Sequence, residues 1–228
     1  MLWMLLKDKY IELNESLLYS VRLHTVEKFF KQGADLHYTD DHGLTPLHNA
    51  CIANSFDTVQ FLTKNSADVN KRDKLQMTPL HYACDKGFTN IARFLVKEGA
   101  EVNSFDHQLK TPLHYAGDHG HQQTVAFLVN QGANIHSLDV KKRTPIHAAS
   151  IAGHFSIAEF LLKNNADMLQ SDDDQLTALD YVLNMKITRE QGASAHDYTE
   201  ELDQDDIIDD LPCNNHSCQE VPGYFQYF

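Results

Sequence analysis

The chain has 228 residues, 42% of them apolar, a net charge of −13 and four cysteines. That apolar share supports a sizeable core, so the chain is not wholly disordered, and the cysteines are too few for a disulfide scaffold. The negative charge excludes a general nucleic-acid binder, which needs a cationic footprint for phosphate.

The N-terminal run Met1-Leu2-Trp3-Met4-Leu5-Leu6 is apolar but short, follows no positive charge and leads into Lys7-Asp8. It predicts an amphipathic capping helix rather than a secretory signal. No stretch reaches the ~20 apolar residues of a membrane span. A degenerate first unit over about 12–37 closes in Gly33-Ala34-Asp35.

Beyond it the chain repeats. Thr45, Thr78, Thr111, Thr144 and Thr177 lie 33 residues apart. The first four open Thr-Pro-Leu-His or Thr-Pro-Ile-His, and the fifth is worn to Thr177-Ala178-Leu179-Asp180. A fixed period of this length marks a stacked repeat array, and such arrays bind more often than they catalyse. Thr caps a helix start and Pro suits the first turn, where a missing N–H costs nothing. Leu47, Leu80, Leu113 and Ile146 then begin an apolar helix face. His48, His81, His114 and His147 are expected to tie neighbouring repeats together through the backbone or the Thr hydroxyl. Cys51 and Cys84, one period apart, read as small, buried, reduced core residues of a cytosol-like compartment.

Asn54, Gly87, Gly120 and Gly153 stand nine residues after each Thr and suit the left-handed helix end. Second helices follow, carrying Phe61-Leu62, Phe94-Leu95, Phe127-Leu128 and Phe160-Leu161. They close in turns such as Ala67-Asp68-Val69-Asn70 and Ala100-Glu101-Val102-Asn103. Polar connections with Asp40, Asp73, Asp106, Asp139 and Asp172 in register predict β-hairpin-like fingers. The units are placed near 40–70, 73–103, 106–136, 139–169 and 172–186.

These residues resemble the ankyrin repeat family, over about five to six units spanning roughly 12–186. The resemblance implies an all-α solenoid of helix-turn-helix units with eroded terminal caps. The glycine that family usually carries before the Thr survives only as Gly43; Gln76, Leu109, Lys142 and Gln175 replace it, so those fingers are expected to bend differently. The resemblance also implies that the concave face, fingers plus first helices, is the contact surface. By frame, finger two then offers Arg72, Lys74, Leu75 and Met77. Finger three offers Phe105, His107, Gln108 and Lys110, and finger four Leu138, Val140, Lys141 and Arg143. First helices add Tyr82, Tyr115 and His119. Aromatic residues beside cations are the composition of binding hot spots, so the expected partner is a protein with acidic and apolar contact groups. Asn70 and Asn103 resemble the positions hydroxylated in some ankyrin repeats.

After Lys186 the period stops. Residues 187–228 hold ten acidic side chains against Arg189 alone, a net −9 that leaves −4 for residues 1–186. A polar linker is expected over 187–199, then a largely flexible acidic tail. Leu202, Ile207, Ile208 and Leu211, embedded in the acidic run 200–211, suit a segment that orders on a basic apolar surface, which would make the tail autoinhibitory or a second binding site. Cys213, His216 and Cys218 offer three soft ligands where a closed zinc site needs four, so neither metal nor other cofactor is expected. A Cys/His enzyme site there is the remote alternative, since so short a tail cannot easily build a pocket. A looser likeness to ankyrin proteins that intracellular bacteria deliver into host cells rests on the acidic stretch and the aromatic C-terminus. The expected state is a monomer, cytoplasmic or, if delivered, in the host cytosol or nucleus.

Overall fold

The structure is a computed structural model that describes the backbone of residues 2–192 and the side chains of residue 7 and residues 9–185. The acidic run, the Cys213/His216/Cys218 group and the terminal aromatics lie outside the described residues. Met1–Lys186 forms one compact unit, separate from Ile187–Phe228.

The described residues form eleven helices. The chain opens with α1 (Leu2–Leu18) and α2 (Leu23–Lys31). Four helix pairs follow: α3 (Pro46–Ile52) with α4 (Phe56–Lys64), α5 (Pro79–Asp85) with α6 (Thr89–Lys97), α7 (Pro112–Asp118) with α8 (Gln122–Asn130), and α9 (Pro145–Ile151) with α10 (Phe155–Lys163). α11 (Ala178–Gly192) ends the series. The capping helix expected at the N-terminus and the first helix of the degenerate unit are one continuous helix. No Gly or Pro interrupts Leu2–Leu18, so nothing stops it. At the other end, residues 187–192, expected as linker, continue α11 as helix.

Each pair packs on the next in two rows, α3-α5-α7-α9 and α4-α6-α8-α10. The core lies between the rows: Leu47, Leu80, Leu113 and Ile146 from the first helices meet Leu62, Leu95, Leu128 and Leu161 from the second, all fully buried. No pair could bury these residues alone, so stability comes from neighbour stacking. Cys51 and Cys84 sit in this core as free thiols, and burial pushes both thiols up.

The repeated histidine is a structural bridge. Thr45, Thr78, Thr111 and Thr144 cap their helices with extended backbone, and Pro takes the first helical turn. The backbone N–H of each Thr donates to the Nδ1 of the His three residues on, at 3.1, 3.0, 3.1 and 3.2 Å. The Thr hydroxyl lies 2.8 to 2.9 Å from the same nitrogen. With Nδ1 accepting, the proton sits on Nε2, which donates into the next repeat: His48 to the Met77 carbonyl, His81 to Lys110 and His114 to Arg143, at 3.3, 3.2 and 3.0 Å. His147 caps its own helix, but its Nε2 meets no acceptor. In the fifth unit Asp180 takes the histidine's place and accepts from the Thr177 N–H at 2.8 Å.

The fingers are turns, not paired strands; the described residues show a single isolated bridge, Ser171 with Thr177. Asp73 shows why. Its Oδ1 accepts from the N–H groups of Leu75 and Met77 at 2.8 and 2.9 Å, and its carbonyl accepts from Gln76 at 3.0 Å. Asp40, Asp106, Asp139 and Asp172 build the same turn. The expectation that fingers without glycine bend differently is corrected here. Gln76, Leu109, Lys142 and Gln175 hold φ of 63°, 59°, 57° and 62°, beside 81° at Gly43. The Asp clamp imposes one turn on all five.

Burial pushes the His81 and His114 imidazoles down to about 4, so the folded array holds them neutral. In the unfolded chain both regain an ordinary value near ~6.5. The unfolded state therefore binds more protons between these values, and stability, full above the unfolded value, falls as pH falls toward the folded one. Taking the chain from about pH 7 to about pH 5 should remove on the order of 2 kcal/mol for each of the two histidines. Denaturant unfolding at both pH values checks this; an unchanged midpoint would contradict the neutral-imidazole bridge.

Candidate functional site

Fingers two to four carry most of the residues singled out by sequence, and the structure sorts them into two groups. Backbone bonds lock finger to finger: Lys74 N–H to the His42 carbonyl, His107 to Leu75, Val140 to Gln108 and Asp173 to Lys141, at 2.9, 3.0, 3.0 and 3.1 Å. This ladder holds the finger tips in fixed register.

The first group is spent on the framework. Tyr82 Oη donates to Asp73 Oδ2 at 2.6 Å and Tyr115 Oη to Asp106 Oδ2 at 2.7 Å. Burial, reinforced by these acceptors, pushes both phenols up. Their rings also stand edge-on to His48 and His81, at 5.8 and 5.9 Å. In the fourth repeat Ala148 occupies the tyrosine's frame, and Arg143 supplies the missing donor. Its Nε and Nη2 both reach Asp139 Oδ2 at 3.0 Å. Arg72 donates to the Phe105 carbonyl at 2.7 Å and lies 5.3 Å from the Phe105 ring centre. Lys110 lies 3.7 Å from Asp118 and over the Tyr115 ring. Met77, expected as an exposed contact, is 6% exposed, with the Tyr115 hydroxyl 3.8 Å from its sulfur. It faces inward because the turn set by Asp73 folds it beneath the finger.

The second group faces solvent. Lys74, Leu75, Phe105, His107, His119 and Lys141 are exposed. Lys74 and Lys141 have no carboxylate in ion-pair range among the described residues. His119 Nδ1 lies 3.4 Å from Asp85, and its ring stacks on His121. Beside these, Leu109, Leu138 and Val140 are 44%, 40% and 53% exposed. Leu109 was overlooked as a surface residue because the period marks its position as a glycine slot.

Asn70 and Asn103 bridge repeats. The Asn70 amide donates to the Gly99 carbonyl at 3.0 Å and accepts from the Glu101 N–H at 2.9 Å. Asn103 does the same to Gly132 and Asn134, at 3.1 and 2.7 Å. Among the described residues no three His, Cys, Asp or Glu side chains come together in metal-binding geometry, and no helix is long and apolar enough to cross a membrane.

The family model described as ankyrin repeats (3 copies) matches residues 17–106, 67–139 and 105–172. No curated protein matches the chain.

The tyrosine–aspartate pairs should act on stability. Tyr82→Phe or Tyr115→Phe leaves a carboxylate oxygen of a buried Asp without its donor, at a cost of about 1–3 kcal/mol. Tyr19→Phe, at an exposed ring, should leave the urea midpoint in place. Equal midpoints for all three variants would refute the framework assignment.

Proposed function

The chain belongs to the ankyrin repeat family, and on that premise we propose that it is a non-catalytic protein–protein interaction scaffold whose contact surface is the finger tips of repeats two to four. The observation that carries this reading is the solvent-facing group itself. Leu75 and Phe105 stand about half exposed beside Lys74 and Lys141, two cations without acidic partners among the described residues. Exposed apolar groups next to unpaired cations suit a partner with both apolar and acidic groups. The first-helix tyrosines, by contrast, are half-buried and already bonded. The surface is therefore narrower than the whole finger/first-helix face, and it is held rigid by the backbone ladder.

Cations at the edge of such a contact steer association more than they hold the complex. The double variant Lys74→Glu/Lys141→Glu should lower partner affinity roughly 5- to 10-fold, mostly through the association rate, and change stability by less than about 0.5 kcal/mol. Quantitative affinity capture from the native cell lysate, parent against variant, reads this. Equal recovery of every enriched protein by the two chains would refute the finger-tip surface.

A further inference from the structure

Four successive fingers place a residue other than glycine in the left-handed region, and three of the four have an account. Lys142 reaches Asp173 at 2.8 Å. Gln76 and Gln175 are exposed polar side chains, which lose nothing by facing solvent. Leu109 has none: its φ is 59°, it is 44% exposed, and it takes no part in the core. A branched apolar side chain gains nothing from water and is strained in this conformation, while Gly43 shows that glycine builds the same turn in the same array. Strain kept without an internal return points to a role outside the fold.

The neighbourhood agrees. Val140 N–H bonds the carbonyl of Gln108, the residue before Leu109, which joins fingers three and four beside it. Phe105, Leu138 and Val140 are 50%, 40% and 53% exposed. We infer that Leu109 is a specificity-determining contact residue that, with Phe105, Leu138 and Val140, seats the apolar side chains of an acidic segment of another protein crossing the finger tips. This rests on the finger-tip surface proposed above and assigns its occupant. Charge selects that occupant. A second copy paired about a two-fold axis at finger three would set the unpaired Lys74 of one chain against the unpaired Lys141 of the other, cation on cation. A segment carrying carboxylates meets the unpaired Lys74 and Lys141 instead.

A displayed random-peptide library selected on the full-length chain tests this. Selected sequences should combine carboxylates with apolar residues. A selected peptide should bind Leu109→Gly roughly tenfold or more weakly than the parent, and Gln175→Gly, which relieves the same turn on finger five, as well as the parent. The Tm of Leu109→Gly should equal or exceed that of the parent, so lost binding cannot be read as unfolding. Several results would overturn the inference: basic or purely apolar selected sequences, no selected sequence at all, parent-like binding by Leu109→Gly, or a dimer in light scattering. Peptide binding weakened by Lys74→Glu/Lys141→Glu but not by Leu109→Gly removes the present inference alone. Binding that neither variant weakens removes the finger-tip surface as well.

Discussion

A neutral imidazole shared between two repeats is the contact on which the rest of the array depends. Its Nδ1 accepts from the Thr that starts its own helix, which fixes the proton on Nε2, and Nε2 donates to a finger carbonyl of the next repeat. One side chain thus sets where a helix begins and how far away the next unit sits. The apolar contacts between helix rows supply more of the driving force, yet they are non-directional and would tolerate sliding. The hydrogen bonds do not. At His147 the bridge is half made, with the helix cap present and the acceptor absent, at the junction with the unit whose opening phrase has lost its Pro and His. Regular bonding is therefore complete only across the middle repeats.

A second, independent clamp acts within each finger. The finger Asp closes its own turn with one carboxylate oxygen and leaves the other for a side-chain donor. In repeats two, three and five that donor is the tyrosine nine residues on. In repeat four it is Arg143 from the finger itself, because Ala148 has no hydroxyl to offer. The substitution pattern preserves the bond and not the residue. A turn tied at both carboxylate oxygens can hold a residue other than glycine, but it does not dictate which side chain stands there.

Fold and repeat frame were legible because they rest on what recurs. The threonine caps, the histidines, the left-handed helix ends and the buried leucines each return at 33 residues, and each has a local physical cause. The surface was less legible, for the opposite reason. Tyr82, Tyr115 and Arg143 carry the composition of binding hot spots, and nothing in a linear pattern shows that a carboxylate nine or four residues away already holds them. Met77 and Leu75 alternate in the same short finger, and only the Asp73 turn decides that one points in and the other out. The finger Asp was visible as a register mark, but its role needed the third dimension, since its partners include a helix residue beyond the turn.

The framework and the surface compete for the same residue types, and this constrains where a partner can dock. Within fingers two to four, three cations that also stabilise a finger lie partly buried: Arg72 on Phe105, Lys110 on Asp118, Arg143 on Asp139. Each would give up an internal bond to bind elsewhere, so part of the gain would be offset by the loss. Lys74 and Lys141 give up only water. The same reasoning ranks the apolar groups. Met77 is unavailable without opening the turn, whereas Leu75, Leu109 and Val140 lose exposed area on contact and nothing else. On the proposed reading, recognition falls to the side chains that the bonding frame leaves over, and Lys74, Leu75, Leu109, Val140 and Lys141 are such side chains on fingers that the backbone ladder joins.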